Sequence, residues 1–211
     1  MPPLFIKLLK EQLLLPLPGL QAQYKMAPNH RLTYDFTDML ALNPKRGSVL
    51  ILIYTENDEF LTVFIKRTEY KGVHSGQVSF PGGRFEPGDL NYEKTALRES
   101  QEEIGINISE VEIIGKLSDL YIPPSNFLVS PFIGFISSRP LFKMDKKEVA
   151  GIIEVPLNNL LEKSENHGTG YIKTSNNVAI QAPFYEVGGY QIWGATAMIT
   201  SEFIAVVKKI L

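Results

Sequence analysis

The eight residues SVLILIYT, Ser48 to Thr55, are almost unbroken in their apolar and β-branched character. Such a run offers no face to water, so it reads as a buried central strand. The polar turn ENDE follows, and FLTVFIK (60–66) is a second strand. A chain of 211 residues that is 44% hydrophobic and 21% charged can bury the core this strand needs, and its length favours one domain.

Further strands are expected near Val78–Phe80, at 111–117 (VEIIGKL), at 128–136 (LVSPFIGFI) and around Ile152–Val155. PLNNLLE opens a short helix with Pro156 at a favourable first position, and SENHGTG reads as a loop. Strands at Tyr171–Thr174, Val178–Ile180, Phe184–Val187 and Tyr190–Trp193 lead to a final helix from about Ala195 to Ile210. That helix carries Ile199, Phe203, Val206 and Ile210 on one face. The class is α+β. The first forty-five residues form an extension with one amphipathic helix, Leu4 to Leu15, ended by Pro16. Glu11 and two prolines interrupt the apolar run there, so it makes a poor signal peptide. No run reaches the roughly 18 apolar residues of a membrane span.

A helix is expected from about Leu90 to Ile104, with Asp89 as N-cap and Gly105 as C-cap. Leu90, Leu97 and Ile104 form its buried stripe. RESQEEIG, Arg98 to Gly105, sets Glu99, Glu102 and Glu103 at i, i+3 and i+4, on one face. Glu103 lies nearest the stripe and Glu99 farthest. Carboxylates so placed repel, so the face is either solvated or shared with a cation; oxygen donors suit Mg²⁺ or Mn²⁺. Just upstream, Pro81-Gly82-Gly83 links a strand to this helix, which is either a tight turn or a backbone cradle for a metal or phosphate.

Together these residues resemble the Nudix box, G-x5-E-x7-R-E-U-x-E-E-x-G-U, from Gly83 through Arg98, Glu99, Glu102, Glu103, Gly105 and Ile106. Asp89 stands where the pattern has Glu, Ser100 replaces an aliphatic residue, and the Asp89–Arg98 spacing is one residue longer. Leu61-Thr62, Lys66-Arg67-Thr68 and HSGQVSFPGG (74–83) resemble the additional motif of coenzyme A diphosphatases, as do VSPFIG (129–134) and IWGATA (192–197). The resemblance covers about Ser48 to Val207. It implies a Nudix fold, an α/β/α sandwich with a mixed sheet and the box as loop–helix–loop, over residues 46–211, with 1–45 as a helical extension.

The same resemblance implies hydrolysis of a nucleoside diphosphate linked to another group. For coenzyme A the products are 3′,5′-ADP and 4′-phosphopantetheine. It assigns Glu99, Glu102, Glu103 and the Gly82 carbonyl to Mg²⁺ or Mn²⁺. Arg98 fixes these carboxylates, and Glu99 or Glu148 serves the attacking water, with Glu154 a weaker choice. Arg67, His74, Gln77 and Arg84 are candidate substrate contacts. Other nucleoside diphosphates, such as ADP-ribose or dinucleotide polyphosphates, are the alternative within enzymes; a non-catalytic nucleotide sensor is the alternative outside them. Trp193 reads as core packing ahead of base stacking, and Tyr121 and Phe127 bracket PPSN, a turn or a pocket wall.

The charge balance, 21 Lys+Arg against 23 Asp+Glu, offers no strong field to nucleic acid or anionic membrane. The expected partner is a small nucleotide, and the chain itself a monomer or homodimer. Cysteine is absent, which removes disulfides and thiol nucleophiles and suits a reducing cytoplasm.

Overall fold

The computed structural model describes residues 3–29, 31, 43–69, 75–173 and 178–211. In chain order the elements are α1 (Leu4–Leu13), α2 (Leu20–Gln23), β1 (Lys45–Glu56), β2 (Glu59–Arg67), β3 (Val78–Ser79), β4 (Gly82–Arg84), α3 (Tyr92–Ile104), β5 (Glu112–Lys116), β6 (Leu120–Ile122), β7 (Phe127–Ile136), β8 (Val149–Pro156), α4 (Leu157–Glu165), β9 (Gly168–Lys173), β10 (Ala179–Val187), β11 (Tyr190–Trp193) and α5 (Gly194–Val207). Among the described residues, eight strands make one mixed sheet and β9–β11 a second of three.

β1 lies mid-sheet, as its unbroken apolar run requires. It pairs in parallel with β7 over Lys45–Tyr54 and antiparallel with β2 at its far end. The β1–β2 turn places Asn57 and Asp58 at φ 49° and 63°, the left-handed pair that a two-residue hairpin demands. Side chains alternate along β1: Leu50, Leu52 and Tyr54 enter the core under α3, while Ile51 and Ile53 enter the core that includes α1 and α5. The result is the expected α/β/α sandwich.

β1 and β2 pair directly only over Ile53–Glu56 and Glu59–Thr62. Beyond that β4 pairs with β1 at Gly47–Val49, and β3 with β2 at Ile65–Lys66. The segment 78–84 thus fills the fork between the two strands. Gly82 is essential to this: its φ is +148°, and a Cβ there would stand 2.2 Å from the Ser48 carbonyl oxygen.

Several boundaries differ from the sequence expectation. Helix α3 begins at Tyr92, capped by the Asn91 side chain, which accepts from the Lys94 N–H at 2.9 Å. Asp89 is engaged elsewhere, and Leu90 is 88% exposed, leaving Leu97 and Ile104 in the core. Each of those two contributes roughly 1.5–3 kcal/mol by burial. Helix α1 ends at Leu13, two residues early; α4 runs into the expected 164–170 loop; β10 joins two expected strands; α5 stops at Val207 and is buried nearly all round. Thr174 lies outside the described residues.

The N-terminal helices pack into the same core as the sheet, through Ile6, Leu9, Leu13 and Met26. A buried carboxylate fastens them. Glu202 of α5 accepts from the Gly19 N–H at 3.0 Å, the Gln23 amide at 2.7 Å and the Ser118 N–H at 3.2 Å.

At the other end of α3, Gly105 adopts φ +69° and donates its N–H to the Gln101 carbonyl, as a C-terminal cap does. A Cβ would sit 2.5 Å from the Lys143 oxygen. Gly105→Ala therefore combines backbone strain with a clash and is expected to cost at least about 1 kcal/mol, a Tm fall of about 3 °C or more by calorimetry.

Candidate active site

Helix α3 presents its carboxylates to the 82–84 segment lodged in the β1–β2 fork. Glu103 is 2% exposed. Its Oε2 accepts the Gly82 N–H at 2.8 Å, and its Oε1 is 3.0 Å from Nη1 of Arg67, at the end of β2. Burial pushes its carboxyl up to about 7; Arg67 and the Gly82 N–H pull the other way, and the charges of Glu99 and Glu148 add to the rise.

Glu99 is covered too, with its side chain 15% exposed. Helical geometry alone put it farthest from the core, yet the glycine segment closes over it: a Cβ on Gly83 would fall 2.4 Å from the Glu99 carboxyl carbon. Burial raises its pKa against the pull of Arg98. Glu102 is the outward one, its side chain 59% exposed.

Arg98 is the hub of this face. Its guanidinium takes Asp89 in two bonds of 2.9 and 3.0 Å, Glu99 at 3.0 Å, Glu102 at 3.0 Å and the Arg84 carbonyl at 3.1 Å. Asp89 also accepts from the Thr95 hydroxyl and the Glu86 N–H, so its pKa sits well below the usual carboxylate range, with Arg98 the chief cause. Its partnership with Arg98 escaped the sequence reading, which used Asp89 as a cap; its place at the box's first acidic position was the available signal. Ser100, the departure from an aliphatic residue, is buried and donates to the Ala96 carbonyl at 2.7 Å.

Glu148 is exposed immediately before β8, and its charge bears on both Glu99 and Glu103. Its loop is tied to α3: the Lys143 N–H donates to the Ile104 carbonyl and the Asp145 N–H to that of Glu103. Glu154 faces a different neighbourhood, held by Arg139 in two bonds of 2.7 Å and by the Tyr54 hydroxyl at 2.6 Å. Arg84 is exposed, Gln77 half-buried beside β3, and His74 lies outside the described residues. Tyr121 donates to the Asn126 side chain at 2.9 Å, so PPSN is a braced turn. Trp193, expected in the core, is instead half-buried in a cavity wall.

The donor set is oxygen throughout, the chemistry a hard divalent cation selects. Among the described residues no three His, Asp or Glu side chains gather around one point: Arg98 draws Asp89, Glu99 and Glu102 to its own nitrogens, and Arg67 and Gly82 hold Glu103. The residues fit such an ion in type and in their shared helix face.

The NUDIX domain profile matches residues 44–171. The uncharacterized Nudix hydrolase NudL of Yersinia pestis (strain Pestoides F) is 36% identical over 155 residues, covering 74% of this chain and 76% of that one. The chain belongs to the Nudix family. As a Nudix hydrolase it acts on phosphoanhydride bonds. Two solved structures share the Nudix fold. The MutT protein of Methanosarcina mazei Go1 has a TM-score of 0.50 at 19% identity, covering 78% of this chain and 95% of the other. RenU, a Nudix hydrolase of M. smegmatis, also has 0.50, at 11% identity, with 79% and 88% covered. No helix among the described residues is long and apolar enough to cross a membrane.

The Nudix helix carries a built-in pH dependence. With Glu103 at about 7 against an ordinary 4.5, folding takes up a proton at this site. Its contribution to stability is thus complete below about pH 4.5 and is lost as the pH rises through about 7. Chelator-treated protein is expected to lose Tm between about pH 4.5 and 7, and Glu103→Gln to flatten that decline. Parallel profiles for parent and variant would contradict it.

Proposed function

We propose that this Nudix hydrolase is a coenzyme A diphosphatase, cleaving coenzyme A or its derivatives to 3′,5′-ADP and 4′-phosphopantetheine. The observation that carries the chemistry is the direct contact of the glycine segment with the acidic helix, Gly82 N–H to Glu103 at 2.8 Å. The segment that resembles the coenzyme A branch, HSGQVSFPGG (74–83), runs into the strand fork from Val78 onward and is continuous with this contact.

Glu99, Glu102, Glu103 and the Gly82 carbonyl would hold Mg²⁺ or Mn²⁺. Such an ion, when bound, neutralises pyrophosphate charge and lowers the pKa of bound water. The chain's own groups supply the rest. Arg98 positions the carboxylates from behind, braced by Asp89, while Arg67 orients Glu103. Water adds to one phosphorus, the bridging P–O bond breaks, and the water's proton passes to Glu148 or Glu99. Arg67, Arg84, Gln77 and His74 are the proposed substrate contacts. The near-neutral charge supports a small nucleotide over nucleic acid, and the lack of cysteine accords with the cytoplasm.

A substrate panel with Mg²⁺ or Mn²⁺ tests the specificity. Coenzyme A and its thioesters are expected to turn over faster than ADP-ribose; the reverse order would transfer the assignment to another nucleoside diphosphate. Glu102→Gln and Glu103→Gln are each expected to lower kcat by orders of magnitude with far-UV circular dichroism unchanged. Activity within a few-fold of the parent would remove them as ligands.

A further inference from the structure

Two consecutive residues at the end of β2 reach two different parts of the site. Arg67 reaches Glu103 of α3, with Nη1 3.0 Å from Oε1. Thr68, which has no part in the chemistry described above, reaches the loop that carries Glu148. Its N–H donates to the Glu148 carbonyl at 2.9 Å. Its hydroxyl lies 3.0 Å from the Lys147 carbonyl oxygen and 3.3 Å from that of Glu148.

These bonds set a direction. Two planar peptides meet at the Glu148 Cα, and the two planes together decide where its side chain points. The peptide before it is held at both ends: the Thr68 hydroxyl donates to the Lys147 oxygen, and the Glu148 N–H donates to the Asp145 carbonyl at 3.1 Å. The peptide after it is held in the same way. The Thr68 N–H donates to the Glu148 oxygen, and the Val149 N–H to the same Asp145 carbonyl at 2.9 Å. Asp145 is itself anchored to α3, its N–H on the Glu103 carbonyl at 3.0 Å.

A β-bulge brings Glu148 to this position. β2 and β8 pair evenly from Leu61 opposite Pro156 to Lys66 opposite Gly151, but Arg67 lies opposite Val149, so Ala150 is an extra residue. Strict alternation would put Ala150 on the α3 face with Ile152. Instead Ala150 is exposed, and Val149 is buried with Leu50 and Ile65 in the core under α3. Glu148 follows directly and is exposed. Glu154 is held by Arg139 and Tyr54, whereas no side chain among the described residues holds the Glu148 carboxylate. Its placement rests on its backbone.

We propose that Thr68 is a positioning residue for hydrolysis: its hydroxyl fixes the Lys147–Glu148 peptide and so aims the Glu148 carboxylate at the attacking water. Arg67 and Thr68 together then hold Glu103 and Glu148 in one frame. The proposal rests on the reading of Glu148 as the group that takes the water's proton. A purely structural hydroxyl at this exposed end of β2 would act on stability and leave turnover alone, because the Lys147 carbonyl can turn to water when the bond is lost.

Thr68→Val keeps the N–H bond and the branched shape and removes only the hydroxyl. The full-length protein is assayed with Mg²⁺ on whichever nucleoside diphosphate it cleaves fastest, beside Thr68→Ser, Glu148→Gln and the double variant Thr68→Val/Glu148→Gln. Thr68→Val is expected to lower kcat about tenfold with KM unchanged, and Thr68→Ser to restore it. Glu148→Gln is expected to lower kcat about a hundredfold or more. The double variant is expected to be no slower than Glu148→Gln alone, since a hydroxyl that acts through Glu148 then has nothing left to aim. Parent kcat in Thr68→Val, a raised KM in its place, no recovery in Thr68→Ser, or an undiminished loss on the Glu148→Gln background would overturn the proposal and leave Glu148 as proton acceptor. Parent kcat in Glu148→Gln would remove that reading and the proposal with it.

Discussion

A carboxylate taken almost wholly out of water is tolerable only where donors meet it. Glu103 is that carboxylate, and its two donors come from the strand fork and what fills it: the Arg67 guanidinium from the end of β2 and the Gly82 amide from the inserted segment. Meeting both requires β1 and β2 to part after four residues, and requires a residue without a side chain where the inserted segment crosses Ser48. The backbone carbonyl of Glu103 then accepts from Asp145, drawing the loop that bears Glu148 toward the same helix. Sheet, box helix and later loop converge through this one residue.

The acidic face is organised by its own arginine. Arg98 offers its guanidinium to three carboxylates and a carbonyl, which offsets the repulsion between Glu99 and Glu102, while Arg67 meets Glu103. Asp89 anchors that guanidinium from below. The arrangement separates a covered ion pair, Asp89 to Arg98, from the contact at Glu102, which solvent reaches.

Much of this was legible in the sequence because the informative residues act locally. The β1 run, the Asn57-Asp58 turn, the Gly105 cap and the carboxylate spacing depend on neighbours within a turn or two. The failures are long-range. Leu90 fits the heptad of Leu97 and Ile104, but the chain has not yet entered the helix there, so the periodicity has no helix to act on. Glu99 looked outermost by angle because a helical wheel contains no glycine segment folding over it. Glu202 sits in an apolar helix whose partners, Gly19, Gln23 and Ser118, are 84 to 183 residues distant. The usual burial of tryptophan favours the core for Trp193, whereas β3 and the β10–β11 hairpin leave a gap beside it.

The Glu202 clasp bears on how the polypeptide matures. Gln23 leaves the ribosome 179 residues before the glutamate that will hold it. Throughout that interval the apolar side chains of α1, Ile6, Leu9 and Leu13, have no finished groove to occupy. Closure must therefore be a late event in biogenesis, and an early-made amphipathic helix must be kept from other hydrophobic surfaces until α5 emerges.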